Sequence, residues 1–245
     1  MRVLGIDTSS PRASVAITEG GDLIAENLHL PENTNSLDIV HSRNNHAAIL
    51  LSLIDGTLRK AGLSLSDVSG FAVAIGPGSF TGLRIGVSTL KGLSFGCGIP
   101  VIGVSTLHAC AARLNDFNGP ICAILDARKK EVYSALFRRG GGLLERITKD
   151  AVISFETLVG LLRGLGSDEP ILLAGEGART YGELLGRILG NRVFLRENDN
   201  SRTVAAAVAL LGEALFAQGE AGSLASLTPR YLRQPEAEAR ARKLA

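Results

Sequence analysis

Apolar residues in this chain fall into two patterns. Short runs of about four to six are bounded by turn residues, and longer stretches repeat near every 3.6 positions. Val3-Leu4-Gly5-Ile6-Asp7 reads as a buried strand that ends in the turn Thr8-Ser9-Ser10-Pro11. Ser14 to Thr18 follows as a second strand, Gly20-Gly21-Asp22 as a hairpin signal, and Leu23 to Leu28 as the return strand. Pro31 to Asn45 is polar and aperiodic, which predicts a loop. Ala47 to Ala61 has helical period, with Ala47, Leu50, Leu51, Ile54, Leu58 and Ala61 on one face. Ile49, Leu53 and Gly56 fall near the opposite face, beside Lys60. A helix that is apolar on both sides is sandwiched inside its own fold or covered by a partner. Phe71 to Ile75 is the next strand, and Gly62 ends the helix before it.

The segment Gly76-Pro77-Gly78-Ser79-Phe80-Thr81-Gly82-Leu83-Arg84-Ile85-Gly86 leads into a second helix, Leu83 to Phe95. Gly82, Gly86, Thr89, Leu93 and Gly96 line one stripe of it. Each interior glycine costs about 1 kcal/mol of helix propensity relative to alanine, so the stripe needs a packing reason. Close approach of another backbone supplies one. Pro100 to Val104 is a strand, and Ser105 caps a helix over Leu107 to Arg113.

The pattern then restarts. Ile121 to Asp126, Val132 to Phe137 and Leu143 to Ile147 read as strands, with Gly140-Gly141-Gly142 as a turn. Helix Phe155–Leu162, strand Ile171–Ala174, helix Thr180–Leu189, strand Arg192–Leu195 and helix Val204–Phe216 follow. Two β-β-β-α-β-α units, each opening on a strand that ends in Asp, predict an internal duplication. The halves are placed at 1–103 and 104–245, the second with a basic tail.

Two elements carry the candidate chemistry. Strand, glycine turn and helix N-terminus together present backbone N–H groups where anions are stabilised, so Gly76, Gly78 and Ser79 are candidate phosphate contacts with Asp7 and Thr8. The same turn would equally let a helix pack very closely. It fits neither G-x-x-x-x-G-K-[ST] nor the dinucleotide fingerprint. Asp7 and Asp126 end the first strand of each half. In a two-lobe fold both carboxylates would aim into the cleft and organise a hydrated Mg²⁺ beside nucleotide phosphates. Alternatively, each caps the turn after its strand. Either Ser79 or Thr81 is a sound N-cap, and Arg84 in the first turn opposes the helix dipole unless an anion or carboxylate meets it.

Composition narrows the classes. A chain of 245 residues with 45% hydrophobic and 20% charged residues is ordinary for a globular protein. The net charge of +2 does not by itself argue for nucleic acid, although Arg230, Arg233, Arg240, Arg242 and Lys243 thicken the positive end. His29, His41, His46 and His108 have no helical ligand spacing, so no metal site is expected. Cys97, Cys110 and Cys122 form no C-x-x-C pair and fit free thiols in a reducing compartment. The N-terminal apolar run meets Asp7, which is too early for a signal peptide, and no run reaches the length of a membrane span. A cytoplasmic location is therefore expected.

Five motifs occur in a telling order: Val3 to Ser9, Gly76 to Gly86, Gly103-Val104-Ser105-Thr106-Leu107, Asp126-Ala127-Arg128-Lys129 with Glu131-Val132-Tyr133, and Pro229-Arg230-Tyr231-Leu232-Arg233. Together they resemble the TsaB (YeaZ) family of bacterial tRNA threonylcarbamoyladenosine modification. The resemblance implies an α/β, duplicated two-lobe actin/hexokinase/Hsp70-like fold, each lobe a mixed five-stranded sheet with flanking helices. It also implies a non-catalytic subunit that pairs with a TsaD-type transferase alongside a TsaE-type ATPase, reaches tRNA through that complex, and self-associates as a homodimer when alone. The first two helices would form the shared surface, with His46, Ile49, Leu53, Gly56, Lys60, Gly82, Arg84, Gly86, Thr89 and Leu93 as its residues. TsaD-type metal histidines align with Thr106 and Cys110, so the metal site is lost. No tightly bound cofactor is expected; ATP or ADP with Mg²⁺ at a subunit junction is the one cofactor left open. A nucleotide phosphohydrolase or kinase-like enzyme using Asp7 and Asp126 is the competing reading. Ser52 stands where the family has Pro, and the 31–45 loop is longer than the resemblance leads one to expect.

Overall fold

The computed structural model describes residues 1–30, 45–114, 116–166, 169–195, 202–220 and 222–233. Most of the 31–45 loop lies outside them. The chain forms two compact units: residues 1–109 with 200–229, and 110–199 with 230–245.

The first unit is built on a five-stranded sheet. Its strands are β1 (Arg2–Asp7), β2 (Ala13–Glu19), β3 (Asp22–His29), β4 (Gly70–Gly76) and β5 (Val101–Ser105), in the order β3-β2-β1-β4-β5. β1 is antiparallel to β2 and parallel to β4, so the loops that follow β1 and β4 leave from the same edge. Gly20 and Gly21, at φ 61° and 87°, close the two-residue hairpin between β2 and β3. Leu4, Ile6, Phe71 and Val73 are fully buried, as strands covered on both faces must be.

Helix α1 (Asn45–Lys60) corrects the expected wheel. Its buried side runs through Leu50, Ile54, Thr57 and Leu58, with Leu53 half-buried against the same core. Leu51, placed on the buried face by its sequence position, is 55% exposed, and Ala47 is exposed as well. The stripe follows i, i+3, i+4, i+7 from Leu50 once Thr57 is admitted. Thr57 is tolerated there because its hydroxyl donates to the Leu53 carbonyl at 2.7 Å.

Helix α2 spans Phe80–Cys97, capped by the Ser79 hydroxyl and ended by Gly98 in the left-handed region at φ 69°. The short helix α3 (Thr106–Ala112) follows β5 directly, its Ser105 hydroxyl accepting from the His108 N–H at 3.2 Å.

The second unit repeats the path. Its strands β6 (Gly119–Asp126), β7 (Glu131–Gly140), β8 (Leu143–Arg146), β10 (Ile171–Ala174) and β11 (Val193–Phe194) run in the order β11-β10-β6-β7-β8. Matching β6 to β1, β7 to β2, β8 to β3, β10 to β4 and β11 to β5 reproduces the first sheet, so the duplication holds. This sheet has a sixth strand beyond the expected five. β9 (Ala151–Ser154) pairs with the start of β7 while β8 pairs with its end. Helices α4 (Phe155–Arg163) and α5 (Glu176–Leu189) complete the unit.

The boundary at 103/104 is corrected by helix α6 (Val204–Ala217), which packs on β1, β2 and β4 of the first sheet. Small residues make this possible. A Cβ on Gly5 would lie 2.6 Å from the Ala209 nitrogen, and one on Gly212 would lie 2.5 Å from the Ala72 Cβ. The helix backbone therefore seats directly on the strands, and Ala205, Ala206 and Ala209 are buried under it. Glu213, the charge that interrupts this apolar run, accepts from the Thr18 hydroxyl and the Gly21 N–H, each at 3.2 Å.

Candidate functional site

The glycine-rich turn is the first place to look. Asp7, 3% exposed, ends β1, and its carboxylate accepts the Ser9 N–H at 3.0 Å. That is the turn-capping role. It leads the next residues across the start of α2. The Thr8 hydroxyl donates to the Gly82 carbonyl at 2.7 Å, and the Ser79 N–H donates to the Ser9 carbonyl at 2.6 Å. A Cβ on Gly78 would lie 2.5 Å from the Ser9 carbonyl oxygen, and one on Gly86 would lie 2.5 Å from the Thr8 hydroxyl oxygen. At Gly82 a Cβ would collide with the Thr8 carbonyl.

Thr8, Gly78, Ser79, Gly82 and Gly86 are thus brought together, but as an internal packing contact. The close backbone that the glycines admit belongs to the chain itself, which corrects the expectation of a second subunit at Gly82 and Gly86. The same geometry bears on phosphate. At this helix start the Ser79 N–H is given to Ser9 and the Gly82 N–H to the Ser79 hydroxyl. With the Thr8-Ser9 backbone lying on it, the turn does not fit a phosphate cradle, and no chemistry is routed through a nucleotide there. Arg84, whose position against the helix dipole asked for a partner, stacks its guanidinium on the Phe80 ring at 3.9 Å.

Asp126 repeats Asp7. Its carboxylate accepts the Arg128 N–H at 2.9 Å, again two residues on, and also the Tyr181 hydroxyl at 3.1 Å. Burial, with the Asp126 charge in second place, raises the Tyr133 phenol above its usual range. Tyr181 is raised first by burial and then by its bond to Asp126. The residues that follow, Arg128, Lys129 and Lys130, all lie in the left-handed region at φ 64°, 54° and 62°. For a residue with a Cβ that conformation costs about 1–2 kcal/mol. Sequence reading missed this turn, since nothing in Arg-Lys-Lys signals positive φ.

The second region is the surface of α1 and α2. An open cavity of about 400 Å³ is lined by Leu51, Ile54, Asp55, Leu58, Leu63, Ser64, Leu65 and Leu93. Leu51 at its rim is 55% exposed, and Phe95, near the end of α2, is 85% exposed. Gly92 and Gly96 open to space, with nothing within 4 Å of a Cβ placed on either. Of the expected surface residues, Thr89 and Leu93 are half-exposed and Arg84 is exposed. Gly56 instead faces Asn27 of β3, and Lys60 donates to the Glu26 carbonyl at 3.0 Å, so both serve the sheet edge. Ile49 is half-buried, and the side chain of His46 lies outside the described residues.

Thr106 and Cys110 sit one turn apart on α3, at 1% and 3% exposure. Among the described residues no group of three or more His, Cys, Asp or Glu could hold a metal ion. No described helix is long and apolar enough to cross a membrane.

The sequence model of the TsaD family, tRNA N6-adenosine threonylcarbamoyltransferase, matches residues 39–241. The chain is 31% identical to the tRNA threonylcarbamoyladenosine biosynthesis protein TsaB of Bacillus subtilis (strain 168) over 240 residues, covering 98% of this chain and 97% of that one. This chain belongs to the TsaB (YeaZ) family. The solved structure of YeaZ from Pseudomonas aeruginosa superposes with a TM-score of 0.73 at 27% identity, covering 94% of this chain and 99% of that one. A ROK hexokinase from Thermus thermophilus, 11% identical with a TM-score of 0.50 over 89% of this chain and 100% of that one, shares the fold alone. The duplicated, hexokinase-like α/β fold is thereby established.

Proposed function

We propose that this chain is a non-catalytic scaffold subunit in the formation of N6-threonylcarbamoyladenosine in tRNA, and that it binds a TsaD-type transferase through the α1–α2 face. The observation that carries this reading is the apolar opening on that face. Leu51 stands in solvent at the rim of a cavity of about 400 Å³, Phe95 is exposed near the end of α2, and Gly92 and Gly96 leave room for close approach. Burying each of the two large side chains would contribute about 1.5–3 kcal/mol, a strong reason for a partner to cover them. The lack of transferase chemistry is supported by Thr106 and Cys110, which stand where the resemblance places metal-binding histidines. Asp7 and Asp126, the pair a kinase-like enzyme would need, each accept a backbone N–H of their own turn.

In this reading a TsaE-type ATPase joins the complex, tRNA is reached through it, and the isolated chain pairs with a second copy by the same face in the cytoplasm. ATP or ADP with Mg²⁺ would then belong to a junction between subunits rather than to the Gly76–Gly82 turn. Reconstituting tRNA modification from purified components, with and without this chain, tests the proposal. Modification should require the chain, and Leu51→Asp with Phe95→Asp should abolish co-elution with the TsaD-type partner while leaving the fold intact. Transfer activity by the chain alone would overturn it.

A further inference from the structure

The turn that follows β6 places Arg128, Lys129 and Lys130 in succession at φ 64°, 54° and 62°, all three exposed. Nothing about the turn itself calls for these residue types, because Gly or Asn takes the left-handed region with less strain. Strain of this kind persists only where surrounding structure over-determines it, and it concentrates where a site needs groups held in place.

The over-determination is visible. Asp126 takes the Arg128 N–H, while the Ala127 N–H donates to the Glu131 carbonyl at 3.1 Å and the Glu131 N–H to the Arg128 carbonyl at 3.0 Å. From the far end of the sequence, Arg233 donates to the Ala127 carbonyl at 2.7 Å and ion-pairs with Glu131. Arg230 of the same strap faces Asp150, whose side chain is 1% exposed. The Pro229–Arg233 motif, which the α1–α2 face does not use, therefore works as a clamp on the basic turn. Asp126, 3.5 Å from the Arg128 guanidinium, offsets some of the charge but leaves the three side chains exposed.

We propose that the Arg128–Lys130 turn contacts the phosphodiester backbone of RNA. A small phosphate ligand is held in a concave pocket, whereas the Arg128 side chain is 77% exposed. Exposed, rigidly presented cations suit an extended polyanion, where several phosphate contacts add up. The proposal rests on the reading of the chain as a subunit that acts on tRNA and names a point of contact within it.

The test is fluorescence anisotropy of labelled tRNA titrated, over a series of salt concentrations, with the full chain in complex with its TsaD-type partner. Lys129→Gly with Lys130→Gly should weaken binding several-fold and make the salt dependence shallower by about one to two contacts. The thermal midpoint should not fall, since glycine relieves the left-handed strain. Lys129→Gln with Lys130→Gln should weaken binding equally, which ties the effect to charge. Unchanged affinity and salt slope in both variants, with partner co-elution intact, would overturn the RNA contact and leave the scaffold reading standing. Loss of ATP affinity by calorimetry without loss of tRNA affinity would also overturn it, assigning the cations to nucleotide phosphates. Should the wild-type chain fail to co-elute with the partner, the scaffold reading falls, and the same titration on the isolated chain decides the turn.

Discussion

The Thr8 hydroxyl donates to the carbonyl of Gly82 across 74 positions of sequence, and the two backbones meet so closely that a Cβ on Gly82 would collide with the Thr8 carbonyl. This contact joins the loop after β1 to the first turn of α2. It converts what resembles a ligand loop into a structural joint. Gly82→Ala should therefore destabilise the protein by about 1–3 kcal/mol, the cost of overpacking a rigid contact. Further along the same helix, a Cβ placed on Gly92 would have nothing within 4 Å. Gly92→Ala should stabilise by about 0.5–1 kcal/mol through helix propensity. Urea denaturation of the two variants checks both signs, and equal shifts would refute the distinction.

Helix α1 allows a similar contrast. Leu53 packs partly into the core of the first unit, whereas Leu51 is 55% exposed. Leu53→Asp should cost about 1–3 kcal/mol of stability, because a carboxylate then replaces packed apolar surface. Leu51→Asp should stay within about 0.5 kcal/mol and act on partner binding instead. Thermal melts alongside co-elution separate the two roles; a large loss of stability in Leu51→Asp would remove it from the surface assignment.

Much of this fold is legible in the sequence because local and global signals agree. Gly20-Gly21 marks a hairpin and Val3 to Asp7 marks a buried strand wherever they occur. The repeat of strands that end in Asp7 and Asp126 exposes the duplication. What escapes is set by tertiary context. Thr57 counts as polar on a helical wheel, yet it lies at the buried face with its hydroxyl satisfied by Leu53. Gly82 and Gly86 announce a close neighbour without saying that Thr8 is that neighbour. Ala205, Ala206 and Ala209 mark a buried helix but not which sheet it returns to. β9, four half-buried residues, is too short for alternation to show. At the site, the apolar excess of α1 is legible, while assigning Leu51 to its outward side needed the packing of Leu53.

The cysteines give a direct readout of packing. Cys122 is fully buried in β6, and burial pushes its thiol up to about 12, with a weaker opposing effect from Ser134. Cys110 is 3% exposed, and Cys97 lies exposed at the end of α2. Thiol reactivity follows access and the thiolate fraction. The native protein at pH 8 should therefore label rapidly at Cys97 alone, and at all three cysteines only after denaturation. Rapid native labelling of Cys122, read by mass spectrometry, would contradict the core of the second unit.

Asp126 lies beside two phenols, and the pH dependence of that group has a definite sign. Tyr133 and Tyr181 are both raised above the ordinary value of 10.0, chiefly by burial and secondarily by the Asp126 carboxylate. A raised folded-state pKa means that the folded protein holds the phenolic proton more tightly than the unfolded chain does. The associated stability is complete below pH 10 and is lost as pH rises from there through the folded-state values. Ultraviolet titration of the native protein should show two phenols ionising late. Asp126→Asn removes the nearby negative charge, so both should ionise earlier than in the wild type, yet still later than a free phenol because burial remains. Tyr181→Phe should remove one late step and, with it, a hydrogen bond to Asp126 worth about 1.5–3 kcal/mol when the acceptor is charged. If Asp126→Asn left both late steps where they are, the carboxylate would not face the phenols, and the geometry that anchors the basic turn would have to be redrawn.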